Sequence, residues 1–149
     1  MVSAPSKRDN ARRRTGEPPM TGSEIETTLR AYAMAWRDGD LATLVGLYDD
    51  AVVLHWSGSH GLAGSHVGKP AALAALAEMS RRTNRELVEV VDILAGETRG
   101  AIIAVERLGH GAERTEVERT LVYRVGEGRL LECWVREADP ALVDRLVGD

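Results

Sequence analysis

The sequence predicts an α+β domain in which helices pack on one face of a curved, mostly antiparallel sheet. Three observations lead there. Apolar residues recur at helical spacing through the first half of the chain and at strand spacing through the second. The strand-like segments are punctuated by glycines and joined by short links, as in hairpins. The chain of 149 residues is 44% hydrophobic and 28% charged, which suits one domain with a core of its own. That core is built from Leu, Val, Ile and Ala, because the sequence has no Phe and only six aromatic rings: Tyr32, Trp36, Tyr48, Trp56, Tyr123 and Trp134.

Residues 1–19 read as a flexible basic tail. They carry Lys7, Arg8, Arg12, Arg13 and Arg14 against Asp9 and Glu17, hold three of the five prolines, and lack apolar periodicity. The single domain is expected over 20–149, with Met20 as an alternative start of the chain. Ser23 and Glu26 form a capping box at the head of the first helix. Ile25, Leu29, Tyr32 and Trp36 then share one helical face. Asp38-Gly39-Asp40 ends that helix, and Asp40 caps a second with Leu41, Leu44, Val45 and Tyr48 on a common face. Ala51–Trp56 reads as a strand, and Ser57–Gly68 as a Gly/Ser/His loop forming a lid or rim. Pro70 opens a third helix that turns Leu73, Leu76 and Ala77 inward. Glu86–Leu94, Ala101–Leu108, Glu116–Val125 and Arg129–Arg136 read as four strands. Asp139-Pro140 starts a last helix with Leu142, Val143 and Leu146.

The same residues exclude several function classes. A formal charge of -4 gives no general electrostatic case for nucleic acid. No apolar run approaches the roughly 20 residues that span a bilayer, so no membrane partner is expected. The lone Cys133 cannot form an intrachain disulfide, which fits a cytoplasmic location. There is no Walker loop, dinucleotide fingerprint or G-x-S-x-G elbow. His55, His60 and His66, spaced five and six apart, match no metal-ligand pattern, so neither a metal nor an organic cofactor is expected.

Beyond these readings, the run Tyr32, Trp36, Gly39-Asp40-Leu41, Leu47-Tyr48-Asp49-Asp50-Ala51-Val52-Val53, followed by Gly64-Ser65-His66-Val67-Gly68-Lys69, resembles the SnoaL-like and ketosteroid-isomerase-like proteins. The likeness covers about residues 21–147. It implies a nuclear-transport-factor-like cone, a sheet curled around the N-terminal helices with one apolar pocket between them. It also implies cofactor-independent acid–base chemistry, since the fold hosts isomerases, cyclases, dehydratases and epoxide hydrolases. By that resemblance Tyr32 occupies the place of the isomerase's hydrogen-bonding tyrosine. His55 stands where its base would be. Leu121 replaces the second oxyanion-hole acid. The same match turns Ala104, Glu106, Leu108 and His110 toward the pocket on one strand, and Leu121 and Tyr123 on the next.

The resulting candidates are His55, Tyr32 and Glu106 for catalysis. An imidazole is suited to moving protons near neutral pH. A tyrosine can donate to a developing oxyanion. A carboxylate among Ile102, Ile103, Ala104 and Val105 is informative because an unpaired buried charge is costly. Each has a plainer reading: His55 as a rim histidine, Tyr32 as core, Glu106 as an outward residue paired with Arg107 or Arg119. Trp36, Tyr48, Trp56, His66, Leu108, Leu121, Tyr123 and Trp134 are candidates for substrate contact. For Arg129–Arg136 two faces stay open. Either Glu132, Trp134 and Arg136 point in, or Cys133, Val135 and Glu137 do. His110, between Gly109 and Gly111, reads as a solvent-facing turn residue. Family epoxide hydrolases use an Asp-Arg-Asp constellation. Arg107 beside Glu106 does not supply it, since strand neighbours face opposite sides.

The expected activity is acid/base conversion of a hydrophobic, oxygenated small molecule, polyketide-like or terpenoid-like. The routes open to such a site are isomerisation, aldol-type ring closure and epoxide opening. The alternative is a binding protein without chemistry. Val105, Val122 and Trp134 on the outer sheet face suggest a homodimer through that face.

Overall fold

The computed structural model describes residues 22–149, with side chains from Glu24 onward. The expected tail, Met20 and the Ser23 side chain of the capping box lie outside what is described. The elements are α1 (Gly22–Asp38), α2 (Leu41–Gly46), β1 (Tyr48–Trp56), β2 (Gly64–Val67), α3 (Lys69–Thr83), β3 (Glu86–Ala95), β4 (Arg99–Leu108), a 3-10 turn (Gly111–Glu113), β5 (Thr115–Gly126), β6 (Arg129–Glu137) and α4 (Pro140–Val147). The strands form one open sheet in the order β2-β1-β6-β5-β4-β3. The β1–β6 pair is parallel and the other pairs are antiparallel.

The expected stripe on α1 is the buried one: Ile25 and Leu29 are fully buried, Tyr32 nearly so, and Trp36 packs against them. The Asp40 carboxylate accepts from the Thr43 amide at 3.2 Å and caps α2. Asp139 does the same for Leu142 at the head of α4, also at 3.2 Å. Two expectations need correction. The helix α2 ends at Gly46, so Tyr48 opens β1 rather than closing a helical face. The Gly/Ser/His segment is not all loop, since Gly64–Val67 pairs antiparallel with β1.

Three strands pair irregularly, and in β3 and β6 the irregularity also changes which side chains face the helices. In β1 the register shifts between Tyr48 and Val53, beyond which Leu54 and Trp56 continue the buried face. In β3 two shifts space the inward residues Leu87, Val90 and Ile93 by three instead of two. In β6 a shift opposite Arg124/Val125 takes the buried face from Leu130 to Cys133 and Val135. β4 and β5 alternate without interruption, burying Ile102, Ala104, Glu106 and Leu108 on one and Val117, Arg119, Leu121, Tyr123 and Val125 on the other.

The helix α1 lies close on β4 at Gly100. A Cβ placed there would sit 2.6 Å from Leu29 Cδ1, 2.7 Å from Ile25 Cγ2 and 2.9 Å from the Leu94 carbonyl oxygen. The last of these is backbone and cannot rotate away. Gly100→Ala is therefore expected to destabilise the fold by about 1–3 kcal/mol, the usual cost of overpacking. Urea unfolding of the two proteins checks this, and equal midpoints would contradict the close-approach reading.

Candidate functional site

Between α1, α2, α3 and the concave face of the sheet lies a cavity of about 560 Å³, of the size that holds a small organic ligand. Its walls are mostly apolar. Trp36, Leu41, Leu44 and Val45 come from α1 and α2, and Leu73, Leu76 and Ala77 from α3. Leu54, Trp56, Leu87, Leu121 and Val135 come from the strands. Leu41 is 69% exposed while lining the cavity, which puts the mouth at α2.

Two polar groups interrupt this surface. The first is a cluster of tyrosines. The hydroxyls of Tyr32 and Tyr48 are 2.5 Å apart, and their rings meet edge to face at 5.6 Å. The Tyr123 ring lies 5.7 Å from that of Tyr32. Burial pushes the Tyr32 hydroxyl up to about 12, against a smaller opposing effect of its bond to Tyr48. Burial likewise holds Tyr48 and Tyr123 well above the ordinary phenol range, and it pushes the neighbouring Cys133 thiol to about 12. Tyr123 also bonds to Tyr32 and to Cys133, so the three hydroxyls and the thiol form one network.

The second group is ionic. Arg119 on β5 stands directly opposite Glu137 on β6 and diagonal to Glu106 on β4, all on the inner face. Arg119 Nη1 donates to Glu106 Oε1 at 2.6 Å. Its Nε and Nη2 donate to the two oxygens of Glu137 at 2.8 and 2.5 Å. Trp56 Nε1 adds a 3.3 Å bond to Glu137 Oε2. The side chains of Arg119, Glu106 and Glu137 are only 2%, 1% and 1% exposed. Burial disfavours the Arg119 charge, but Glu106 and Glu137 outweigh it, so the net shift is further upward. Glu106 Oε1 is thus fixed, while Glu106 Oε2 is buried with no hydrogen-bond partner. Its nearest cation is Arg85, whose Nε is 3.8 Å away, beyond hydrogen-bond range.

Of the candidates read from the sequence, Tyr32, Glu106, Trp36, Tyr48, Trp56, Leu121 and Tyr123 line this cavity together. Four do not. His55 alternates with Leu54 and Trp56 and falls on the outer face of the sheet. There its Nε2 meets Glu132 Oε2 at 2.5 Å, its Nδ1 meets Ser65 Oγ at 2.8 Å, and its ring stacks on Trp134 at 5.4 Å. The shift in β6 puts Trp134 on that same outer face, under the Arg99 guanidinium at 4.3 Å. His66 Nε2 is occupied by the Leu62 carbonyl oxygen at 2.7 Å. Leu108 is buried in the core beyond the cavity. His55 therefore does not share a cavity with Glu106, and none of residues 57–68 lines the cavity as a lid. That segment instead ties down to the C-terminus, through the Gly61 amide on the Gly148 carbonyl (2.8 Å) and the Ser59 amide on Asp144 (2.9 Å). His110, matched to the pocket by resemblance, is exposed, with Nε2 3.0 Å from the Arg82 carbonyl oxygen.

Arg85 is the site residue that sequence reasoning missed; Glu137 stood in one of the two open faces of β6, and Arg119 was named only as an outward partner of Glu106. Strand parity carried the signal for Arg119: with Leu121 and Tyr123 inward, the residue two earlier must be inward as well. Among the described residues no group of three or more His, Cys, Asp or Glu side chains is placed to hold a metal ion. No helix there is long and apolar enough to cross a membrane.

The description of the SnoaL-like domain matches residues 29–133. The chain belongs to the SnoaL-like family. Among solved structures, this SnoaL-like chain is similar to Bal32a from a soil-derived mobile gene cassette. The TM-score is 0.75 and the identity 23%, over 84% of this chain and 97% of that one. It is also similar to a protein of unknown function with a cystatin-like fold from Xanthomonas campestris, with TM-score 0.77 and 23% identity over 87% and 100% of the two chains. TerC, co-crystallised with polyporic acid, aligns with TM-score 0.69 and 13% identity over 83% and 98%. At these identities the likeness is one of fold. A search of the curated proteins finds no match.

Every tyrosine of the chain belongs to the buried cluster, which makes their ionisation a direct probe of it. A phenol or thiol held protonated by burial releases its proton more readily on unfolding. Stability from these groups is therefore complete below the ordinary pKa values and lost as pH rises. For Cys133 that loss runs from 9.0 to about 12, and for Tyr32 from 10.0 to about 12. Tyrosinate absorbance is expected to show no step near pH 10 in the folded protein and the full step in denaturant. A native step near 10 would contradict the buried arrangement.

Proposed function

We propose that this SnoaL-like protein is a cofactor-independent acid/base enzyme for a hydrophobic, oxygenated small molecule, with Glu106 as the proton-transferring group. One observation carries the reading. Glu106 Oε2 is buried in the wall of an apolar cavity without a hydrogen-bond partner, while Arg119 pins the other oxygen. An unsatisfied buried carboxylate oxygen is costly unless a ligand or a proton completes it. In this reading Arg119 and Glu137 are positioning residues that fix the carboxylate plane. Their carboxylate–guanidinium–carboxylate arrangement resembles the Asp-Arg-Asp constellation of family epoxide hydrolases, with Arg119 rather than Arg107 at its centre.

Glu106 would accept a proton from a C–H beside a carbonyl, or from a hydroxyl attacking an epoxide. A hydroxyl of the Tyr32–Tyr48–Tyr123 network would turn to donate to the oxygen that gains charge. The aliphatic walls would exclude water and select an apolar body. Isomerisation, aldol-type ring closure and epoxide-opening cyclisation all need this division of labour. Co-crystallisation of TerC with polyporic acid fits a fold that receives small oxygenated molecules. His55, on the outer face, is left out of the chemistry.

A second reading, a binding protein without turnover, is favoured by the Tyr32–Tyr48 bond, since both hydroxyls already have a partner. A panel of enolisable ketones and hydroxy-epoxides of this size separates the two. Glu106→Gln is expected to keep binding while lowering turnover by about 10²–10⁴-fold, the range for a general base. Undiminished turnover in Glu106→Gln would contradict the assignment. Tight binding by the wild type with no conversion of any compound would favour the binding protein.

A further inference from the structure

Two arginines line the cavity, and they are held very differently. Arg119 is saturated by two carboxylates. Arg85 has no such partner among the described residues. It stands between α3 and β3, just after Asn84 turns the chain in the left-handed conformation at φ 49°. Its side chain is 18% exposed. Among the described residues its side chain makes one hydrogen bond, a long one from Nη2 to the Leu76 carbonyl oxygen at 3.4 Å. Its Nε lies 3.8 Å from Glu106 Oε2, close enough for charge interaction but too far for a hydrogen bond. A donor-rich cation and an acceptor oxygen thus face a cavity across a gap that one ligand oxygen can bridge.

We propose that Arg85 binds an oxyanion of the ligand, and that the ligand is a weak oxygen acid on a hydrocarbon body, a phenol or an enol rather than a carboxylate. The charge balance leads to this choice. Arg85 and Arg119 are offset by Glu106 and Glu137, so a ligand that arrives already ionised would add an uncompensated anion. A weak acid does not: its O–H bond breaks as a bond between the proton and Glu106 Oε2 forms. The ligand oxygen then takes over the charge that Glu106 gave up, beside Arg85. The other titratable groups around this position are the hydroxyls of Tyr32 and Tyr48 on α1 and β1, Tyr123 on β5 and the Cys133 thiol on β6. Burial keeps all of them protonated. The charge of Arg85 reaches the tyrosines, where it is one of the smaller effects opposing their burial. The inference rests on the reading that the cavity takes a hydrophobic oxygenated molecule, but not on catalysis by Glu106.

The probes are a nitronaphthol, whose ionised form is coloured, its methyl ether, and the nitronaphthoate of the same ring system. Wild-type protein is expected to bind the naphthol at least about tenfold more tightly than the ether or the naphthoate, as one charge-assisted hydrogen bond allows. It should hold the naphthol as the coloured anion at a pH where the free compound is neutral. Arg85→Gln should bind the naphthol as the colourless neutral form and about tenfold more weakly than wild type, while its binding of the ether is unchanged. Arg85→Lys, which keeps the charge, should restore much of the colour. Glu106→Gln should still hold the coloured anion and should bind the naphthoate about tenfold better than wild type, because one cavity anion is gone. Ether binding as tight as naphthol binding, or an unchanged colour in Arg85→Gln, would overturn the role of Arg85. Failure of wild type to bind any of the three probes would overturn the small-molecule reading as well. Full colour in Glu106→Gln with unchanged turnover would uphold Arg85 and count against Glu106 alone.

Discussion

A guanidinium buried under an aliphatic sheet has to be met by negative charge, and the inner face of this protein is arranged around that requirement. Arg119 is almost fully buried on β5, where a lone cation would be strongly destabilising. Glu137 meets it from β6 with both oxygens and Glu106 meets it from β4 with one. The three strands must stay in the register that aligns these residues, so the ion network and the sheet specify each other. The consequence for function is geometric. Satisfying Arg119 takes three of the four carboxylate oxygens, and the fourth, Glu106 Oε2, is left at the cavity wall.

The rest of the molecule keeps that oxygen in a dry, roomy place. With no Phe in the sequence, the walls are Leu, Val and Ala, whose modest volumes leave space between helices and sheet. The few rings are concentrated rather than scattered. Tyr32, Tyr48 and Tyr123 meet in one cluster, with Trp36 6.2 Å from Tyr32, and Trp56 backs the ion network through its indole nitrogen. Gly100 lets α1 settle closely on β4 at the far end of the helix, so that Tyr32 and Trp36, further along it, form the roof. Register shifts in β1, β3 and β6 bend the sheet into its curve without closing it.

Most of this frame was legible in the residues. Helical and strand periods located all the α-helices and strands except β2, a four-residue edge strand hidden in a Gly/Ser/His segment without alternating apolar residues. Tyr32 and Glu106 were legible as cavity groups through the family resemblance, which placed both toward the pocket; periodicity alone gave Tyr32 only as core. His55 was misplaced because the family resemblance was followed against strand parity: with Leu54 and Trp56 inward, the residue between them faces out. Trp134 was ambiguous for a different reason. The register shift in β6 flips parity within the strand, which hydrophobic alternation alone does not reveal. Arg119 was visible in principle from the parity of Leu121 and Tyr123. Once it is inward, its charge selects the β6 face that brings Glu137 to it. Buried charge was a better guide to register there than apolar pattern. Arg85 carried no sequence signal, since its importance lies in what it fails to bond.

The central claim is that Glu106 Oε2 is held open for a ligand by the Arg119–Glu137 network. A crystal structure of the protein with a hydrophobic ketone or phenol in the cavity tests it most directly. The expected result is a ligand oxygen within hydrogen-bond distance of Glu106 Oε2, with Arg119 still bonded to Glu106 Oε1 and to both oxygens of Glu137. A ligand seated in the cavity with its oxygen away from Glu106, and Oε2 closed onto Arg85 or another protein group, would contradict it.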